Sequence, residues 1–483
     1  MSGKTLGGTT EQGGSYVDLK VWFGDLEKPD EGLTVESENI DYFALTENMF
    51  TLLPTLTLQV VDTGRFFSTY SVKIGDTINV VAKPSKIDGD EDREPEPFIK
   101  GSFVVQIIKE YPSTNQPGAF IHKFMCTYAA QKYIAEECVY PTMGLTTFPL
   151  YRKVKSTDAL REVIEASGLG FSDDTDIGEI DDASYWISAD ESRAQFCDRV
   201  VRHAWAGLGN SPILFTDAKG IAHYMTIKDI CKSSGDKLKQ DVDYCSGKVA
   251  EGRGDNRIIR YDDAAMVNGG GPVLNHGGYT LSAHLYNPYN KETIPYKEAG
   301  MLGKLAGFDP PYLPVYTGSK FAQIGAAVAA LQNGGFDKYD RGDGHRDVTW
   351  KNETQRLATV KNASPGMADV ITKCENGGMH FAEMHDYYTV ADGHNEQVRR
   401  SFFQNFVSLN VDANRQGEAF YKDYNRPQLG DTINVDFSNS ETVDPIHSGR
   451  YCVVQIRYVY ANKKPFTEEV VCANDGLYGV RGQ

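Results

Sequence analysis

The sequence has no long apolar run and less positive than negative charge. Its longest apolar candidate, 321–331, is about half the ~20 residues that a membrane-spanning helix needs. No apolar stretch of a signal peptide follows the first residues either, so we expect no membrane insertion. The 483 residues carry a formal net charge of −17. Sequence-independent binding of nucleic acid needs a basic surface, so that function is not expected.

The eight cysteines are scattered, and none forms a C-x-x-C pair. A structural zinc site needs closely spaced thiolates or imidazoles, so we expect no metal site and predict buried free thiols. What the sequence does have is 47 Gly, 27 Tyr and 23 Phe. This composition is typical of β-strands joined by tight turns. The length allows about three domains.

Several segments begin like catalytic or binding motifs and then depart from them. Gly3–Thr5 lacks the upstream glycine loop of a phosphate-binding site. A dinucleotide site requires a helix directly after its glycine-rich turn, and no helix is predicted after Gly269–Gly271. His380 and His385 are five residues apart, whereas a helical zinc site needs four. The loop 337–345 has Tyr and Arg where a calcium loop needs oxygen ligands. We therefore predict no enzyme activity, no catalytic or metal-binding residues and no cofactor.

One strand-like segment occurs twice. I-G-D-T-I-N-V at 74–80 returns as L-G-D-T-I-N-V at 429–435. Gly75 and Gly430 suit a turn with positive φ, and Asp76 and Asp431 can cap that turn before an alternating strand. These four residues are the predicted site residues, as structural turns of a repeat.

Further matches flank each copy in the same order. They are a preceding strand (56–60 and 406–411), V-V-Q-I (104–107 and 453–456), and a Phe six residues before a Cys (120 and 126; 466 and 472). A common G-D-x-I-x-V hairpin signature explains one copy but not the ordered series. We interpret the series as an internal duplication.

The segment between the copies has a mixed pattern. Helical spacing predicts helices at 156–168 and 189–205, and a glycine turn at 218–220 predicts a hairpin of 213–217 with 221–227. The predicted fold class is α+β, with two tube-like antiparallel β-barrel or sandwich domains and a mixed α/β middle. The predicted divisions are a flexible arm (1–15), a first tube-like domain (16–150), a mixed α/β domain (151–245), a Gly/Asn/Tyr-rich insertion or linking region with helices at 319–331 and 368–374 (246–385), and a second tube-like domain (386–483).

This arrangement resembles the baseplate hub proteins of tailed bacteriophages and the related hub half of type VI secretion spike proteins. The resemblance rests on both G-D-T-I-N-V segments and on three segments of the middle region: W-I-S (186–188), F-C-D-R-V-V-R-H-A-W (196–205) and F-T-D-A-K-G (215–220). Together these regions extend over about two thirds of the chain. None of them is a catalytic motif.

The resemblance implies a structural protein of the virion tail, assembled in the host cytoplasm. It implies a homotrimer whose two tube-like domains per chain form a ring of six similar units. In that arrangement the polar positions of the repeated segments would face a neighbour or the channel, and the apolar positions would pack inside their own domain: Ile74, Ile78, Val80, Leu429, Ile433 and Val435. Such a ring would adapt a hexameric tail tube to a trimeric spike or tip protein, contact other baseplate proteins, and line a channel through which DNA passes without specific binding. The acid excess would then line that channel and repel phosphate. Two alternatives remain open: another tube-end or adaptor component with the same β domain, and a tail-associated cell-wall hydrolase.

Overall fold

A computed structural model describes the protein over these residues: 4–6, 17–64, 67, 70–84, 96–114, 116–138, 154–172, 186, 188, 190–206, 211–231, 243–246, 256–265, 280–287, 292–299, 354–359, 395, 399, 403, 405–411, 427–436, 438–439, 442–443, 449–461 and 466–474. The predicted helices at 319–331 and 368–374 lie outside these ranges. So do Gly269–Gly271, the loop 337–345 and the histidines at 380 and 385.

The described part of the chain is mostly β-strand. The strands are β1 (Lys4–Leu6), β2 (Val17–Phe23), β3 (Leu33–Val35), β4 (Ile40–Asn48), β5 (Thr55–Asp62), β6 (Thr77–Pro84), β7 (Ile99–Pro112), β8 (Phe120–Tyr128), β9 (Glu137–Cys138), β10 (Gly170–Ser172), β11 (Glu191–Ser192), β12 (Pro212–Thr216), β13 (Ile221–Thr226), β14 (Asp243–Ser246), β15 (Asn256–Ala265), β16 (Thr280–Asn287), β17 (Glu292–Ala299), β18 (Thr354–Thr359), β19 (Asn405–Val411), β20 (Thr432–Asp436), β21 (Ser438–Asn439), β22 (Thr442–Val443), β23 (Gly449–Ala461) and β24 (Thr467–Asn474). The α-helices are α1 (Gln131–Ile134), α2 (Ser156–Ala166), α3 (Arg193–His203) and α4 (Ile227–Cys231), with 3₁₀ turns at Pro29–Glu31 and Ser37–Asn39.

Fourteen of the strands form one sheet, which contains two groups. The N-terminal strand group has the order β1-β3-β2-β6-β7-β8-β5-β4. The C-terminal strand group consists of β23, β20, β14, β15, β19 and β24, and it closes on itself because β23 also pairs with β24. β4 joins the two groups by pairing with β23. Part of the predicted flexible arm, Lys4–Leu6, is the strand β1 and pairs with β3.

A continuous apolar core runs through both strand groups. Strand β5 shows why: its alternating pattern buries Leu56, Leu58 and Val60 and leaves the intervening residues half-buried. The same cluster includes Val453 and Ile456 of β23, together with the tip of the β12–β13 hairpin. The two strand groups therefore share one interior.

Two longer helices and a small sheet follow the N-terminal strand group along the chain and precede β14 of the C-terminal strand group. β10, β13 and β12 form this three-stranded sheet, and α2 and α3 contribute to a second apolar cluster with it. Helix α3 begins at a capping box: the Ser192 hydroxyl accepts a hydrogen bond from the Gln195 N–H, and the Gln195 side chain accepts one from the Ser192 N–H. It is shorter than the predicted 189–205. Helix α2 has Lys155 at its N-cap, with no side-chain capping hydrogen bond, and it ends two residues before the predicted 168.

Two expectations about the repeated segment were wrong. Ile74 is 64% exposed, because it lies in the turn before β6, where the strand alternation has not begun. Asn79 was expected to face a neighbour or a channel, but it is fully buried. Its side chain donates to the Gly24 carbonyl (2.9 Å) and accepts from the Ser102 hydroxyl (2.6 Å) inside its own group. Buried amides need such partners.

No helix of the described segments is long and apolar enough to cross a membrane. Lys4 and Thr5 of the short glycine-lysine-threonine motif lie in strand β1. The residues on either side of this strand lie outside the described ranges.

Candidate assembly surface

The two predicted turns have the same backbone geometry. Gly75 donates to the Val105 carbonyl (2.9 Å), and the Val105 N–H donates to the Asp76 carbonyl (2.9 Å). In the second turn Gly430 and Val453 make the matching bonds, both at 2.9 Å. The glycine φ angles are +92° and +84°. A residue with a Cβ is strained at such angles, so the conformation favours glycine at each turn.

The aspartates cap the two turns in the same way. The Asp76 carboxylate accepts from the Lys73 N–H at 2.8 Å, and the Asp431 carboxylate accepts from the Gln428 N–H at 2.7 Å. Each aspartate N–H also donates back to the carbonyl of that residue, at 3.1 Å and 3.0 Å. Each aspartate thus closes a four-residue turn through both its side chain and its backbone, directly before the following strand.

The strands after the turns pair in matching register. Thr77 pairs with Val104, and Thr432 pairs with Cys452. Both β7 and β23 then have a one-residue bulge, before Ile107 and before Gln455. The structural equivalence therefore places Val104 with Cys452, so the V-V-Q-I match in the sequence is one residue out of register. The Phe and Cys matches at 120, 126, 466 and 472 are in register, since the two cysteines pair opposite Val105 and Val453.

Strands β4 and β15 also correspond. Ile40 pairs with Val60 and Tyr42 with Gln59, so Asp41 is bulged out of the ladder with β5. In β15, Ile258 pairs with Val411 and Arg260 with Asn410, which leaves the residue between them bulged in the same way against β19. Bulges fix strand register, so this shared irregularity aligns β15 with β4 residue by residue as far as Asp262; a second irregularity of β15, before Ala265, has no counterpart in β4.

The edge-to-edge junction of the two groups is an antiparallel ladder of seven residue pairs, from Asn48 opposite Gln455 to Tyr42 opposite Ala461. Beyond its end the Met49 N–H donates to the Val454 carbonyl at 2.9 Å. Side chains add to it: the Asn48 amide donates to the Gln455 side chain at 2.9 Å. The ladder covers the second half of β23, where the residues are buried or half-buried.

Strand β7 has its bulge at the position that matches the bulge of β23, but no described strand covers the second half of its β6-side edge. β6 pairs with it only as far as Val104, and β8 occupies its other side. Across the described ranges no strand pairs with the β6-side edge of residues 107–112. Ile107 and Tyr111 are 44% and 38% exposed. We call residues 107–112 the open β7 edge.

A buried carboxylate lies where the junction meets the β12–β13 hairpin. Glu47 of β4 is 3% exposed. One of its oxygens accepts from the Ala218 N–H at the hairpin tip (2.6 Å), and the other accepts from the Tyr458 hydroxyl of β23 (2.8 Å). The hairpin tip is also bonded to β7, because the Lys100 N–H donates to the Ala218 carbonyl at 3.2 Å. Glu47 thus links both strand groups and the hairpin.

Four cysteines of the described residues are buried free thiols. Burial raises the pKa of the Cys126 thiol to about 12, and burial together with nearby Glu191 and Asp198 raises that of Cys197 to about 12. Such thiols are protonated and unreactive at neutral pH. No group of three or more His, Cys, Asp and Glu side chains in the described part is placed to hold a metal ion. The buried Asp62 accepts backbone bonds from Gly64 (3.0 Å) and Phe67 (3.1 Å), which holds a loop.

Sequence reasoning identified the two turns and missed the surfaces between strands. Neither the β4–β23 ladder nor the open β7 edge has a motif, because backbone pairing is nearly independent of side-chain identity. Glu47 was missed as well. Its place in the alternating strand Ile40–Asn48, among buried positions, is the one signal that could have marked it as a buried charge.

No protein-family model matches this chain, and no curated protein matches it. Similar solved structures include a tail protein from Neisseria meningitidis MC58, at 9% identity and a TM-score of 0.47, covering 96% of this chain and 98% of that one. The 43 kDa tail protein of prophage MuSo2 from Shewanella oneidensis is similar at 10% identity and a TM-score of 0.47, covering 96% and 99%. A component of the E. coli type VI secretion system is similar at 7% identity and a TM-score of 0.38, covering 92% and 76%. The similar structures named here are thus two tail proteins and one type VI secretion component, each at 10% identity or less.

Proposed function

We propose that the chain is a structural, non-enzymatic component of a phage-like tail, a homotrimeric hub between the tail tube and the spike. The observation that carries the proposal is the β4–β23 ladder, which joins two strand groups with matching turns and bulges. Two similar units paired edge to edge within one chain are the repeating element of a ring. We take them to be tube-like domains that arose by duplication.

In a homotrimer, two similar units per chain would let partners of threefold and of sixfold symmetry bind the same ring. Three chains with two similar units each present six units around one axis, so threefold and sixfold partners can meet on the same ring. The sixfold partner in this proposal is a tail tube, and the threefold partner is a spike or tip protein. Gly75, Asp76, Gly430 and Asp431 act as the turns that start equivalent strands in each unit. Apart from β14 and β15, which belong to the C-terminal strand group, the segments 151–245 and 246–385 lie between the two tube-like domains along the chain and would contact other baseplate proteins.

The charge fits a channel through which DNA passes without binding. The formal net charge of −17 per chain makes a trimer strongly acidic. An acidic wall repels phosphate over a Debye length of about 8 Å at physiological salt. We place part of the acid excess on that wall, which keeps the passage free of bound DNA.

Native mass spectrometry of the full chain tests the proposal. The expected mass is three times 53.5 kDa, about 160 kDa. The spectra should be recorded from micromolar solution at low and at physiological salt. A chain that stays monomeric in all conditions, or that forms an even-numbered ring, contradicts the hub.

A further inference from the structure

The open β7 edge and the edge of β23 that β4 covers occupy equivalent positions in the two strand groups. One edge is exposed and the other is paired. Ile108 corresponds to Ile456, because each lies one residue past the position that follows the bulge. Ile456 lies in the part of β23 that pairs with β4, and it is buried. Ile108 is half-buried, and the residues on either side of it are exposed. An exposed strand edge presents unpaired N–H and C=O groups, which is a template for another strand.

The strand that would cover this edge can be identified from the correspondence already given. β4 covers β23, and β15 is the equivalent of β4 in the C-terminal strand group, with the same bulge. β14 pairs with β15 only at 256–258. Among the described residues no strand pairs with that side of β15 at 260–265.

We infer that the open β7 edge of one copy receives β15 of the next copy, in the antiparallel register of β4 on β23. Within one chain the two edges belong to different strand groups, and the β4–β23 junction already fixes how those groups lie. The pairing is therefore made between copies. This inference rests on the proposed function and specifies its subunit interface.

The register follows from two equivalences. Ala44 pairs with Val459 in the existing ladder. Ala44 corresponds to Asp262 through β5 and β19, and Val459 corresponds to Tyr111 through β8 and β24. The inferred interface thus places Asp262 of one copy directly opposite Tyr111 of another. Lys109, Glu110 and Pro112 flank that position, and in a monomer such residues would protect an edge from pairing.

Disulfide trapping in the full chain tests both the partner strand and the register. The matched variant carries Tyr111→Cys with Asp262→Cys. The control variant carries Tyr111→Cys with Tyr261→Cys, which is one residue out of register. A one-residue shift turns the side chain to the opposite face of the sheet, where the Cβ atoms are too far apart to bridge.

After mild oxidation, the matched variant should form a reducible ladder of dimer and trimer on a denaturing gel. We expect at least about tenfold more cross-linking than in the control variant or in either single-cysteine variant. Equal cross-linking in matched and control variants, or none in either, overturns the inferred interface. Native mass spectrometry of the same samples separates the two proposals. A trimer without the cross-link refutes only this interface, and a monomer refutes the hub itself.

Discussion

Replacement of Glu47 by alanine should destabilise the protein far more than replacement of an exposed glutamate. The carboxylate is buried and accepts from the Ala218 N–H at 2.6 Å and from the Tyr458 hydroxyl at 2.8 Å. Glu47→Ala leaves both donors buried without this acceptor. Each such loss costs about 1–3 kcal/mol, so we expect a total of about 3–5 kcal/mol. That is a large part of the ~5–15 kcal/mol that stabilises a typical domain.

Glu47→Gln should cost less, about 1–2 kcal/mol. The amide oxygen can still accept from the Ala218 N–H, and the amide NH₂ can donate to the Tyr458 hydroxyl oxygen. Glu31→Ala is the matched control, because the Glu31 side chain is 72% exposed and forms an ion pair with the exposed Lys28 at 3.3 Å. An exposed pair of this kind contributes at most about 1 kcal/mol.

The assay is urea unfolding at a fixed protein concentration, followed by tryptophan fluorescence. A double-mutant cycle of Glu47→Gln with Tyr458→Phe should give a coupling energy of about 1 kcal/mol, because the two side chains touch. Amide hydrogen exchange at Ala218 should speed up in Glu47→Ala and stay unchanged in Glu31→Ala. A Glu47→Ala cost within about 1 kcal/mol of the Glu31→Ala cost would refute the linking role.

Four further outcomes follow from the geometry. Gly430→Ala should lower the thermal midpoint more than Gly75→Ala. Both force a Cβ onto positive φ at about 1–2 kcal/mol, but only the first places it 3.1 Å from the Met225 sulfur; the reverse order contradicts the packing. Asp76→Ala and Asp431→Ala should each cost about 1 kcal/mol in urea unfolding. A difference beyond ~1 kcal/mol between them would show that the turns are not equivalent. Because burial raises the pKa of Cys126 and Cys197 to about 12, the unfolded chain, with thiol pKa near 8.5, releases protons first as pH rises. Stability should therefore fall above about pH 8.5, by up to ~1.4 kcal/mol per pH unit and thiol. Cys197→Ala should reduce that slope, and an unchanged slope contradicts the assignment. A zymogram on cell-wall material should show no lysis, and a lytic band lost on replacing one acidic residue would favour the hydrolase.

Local chemistry explains what the sequence could predict. Gly75 and Gly430 are needed for positive φ, and Asp76 and Asp431 for capping, so both turns were recognisable from the residues alone. The hairpin at 213–227 has an equally local signal, since Gly220 with φ of +81° closes its turn. The β-rich character followed from alternation and composition.

The remaining features depend on which strands lie side by side. The identity of letters at 104–107 and 453–456 suggested a register that the ladders move by one residue, because a bulge and not side-chain identity sets the pairing. Ile74 looked like a core position and is exposed, because the alternating pattern begins only at the strand. The junction at Glu47 joins residues about 170 and 410 positions apart, and no local pattern reports such a contact.

The rotational symmetry of the isolated particle tests the central claim most directly. Electron cryo-microscopy of the full chain should give ring-shaped averages with threefold symmetry and six similar β units around a central channel. In such a ring, β4–β23 junctions within chains would alternate with β7–β15 junctions between chains. A ring with a different number of chains, or a particle in which the open β7 edge faces solvent, would contradict the account.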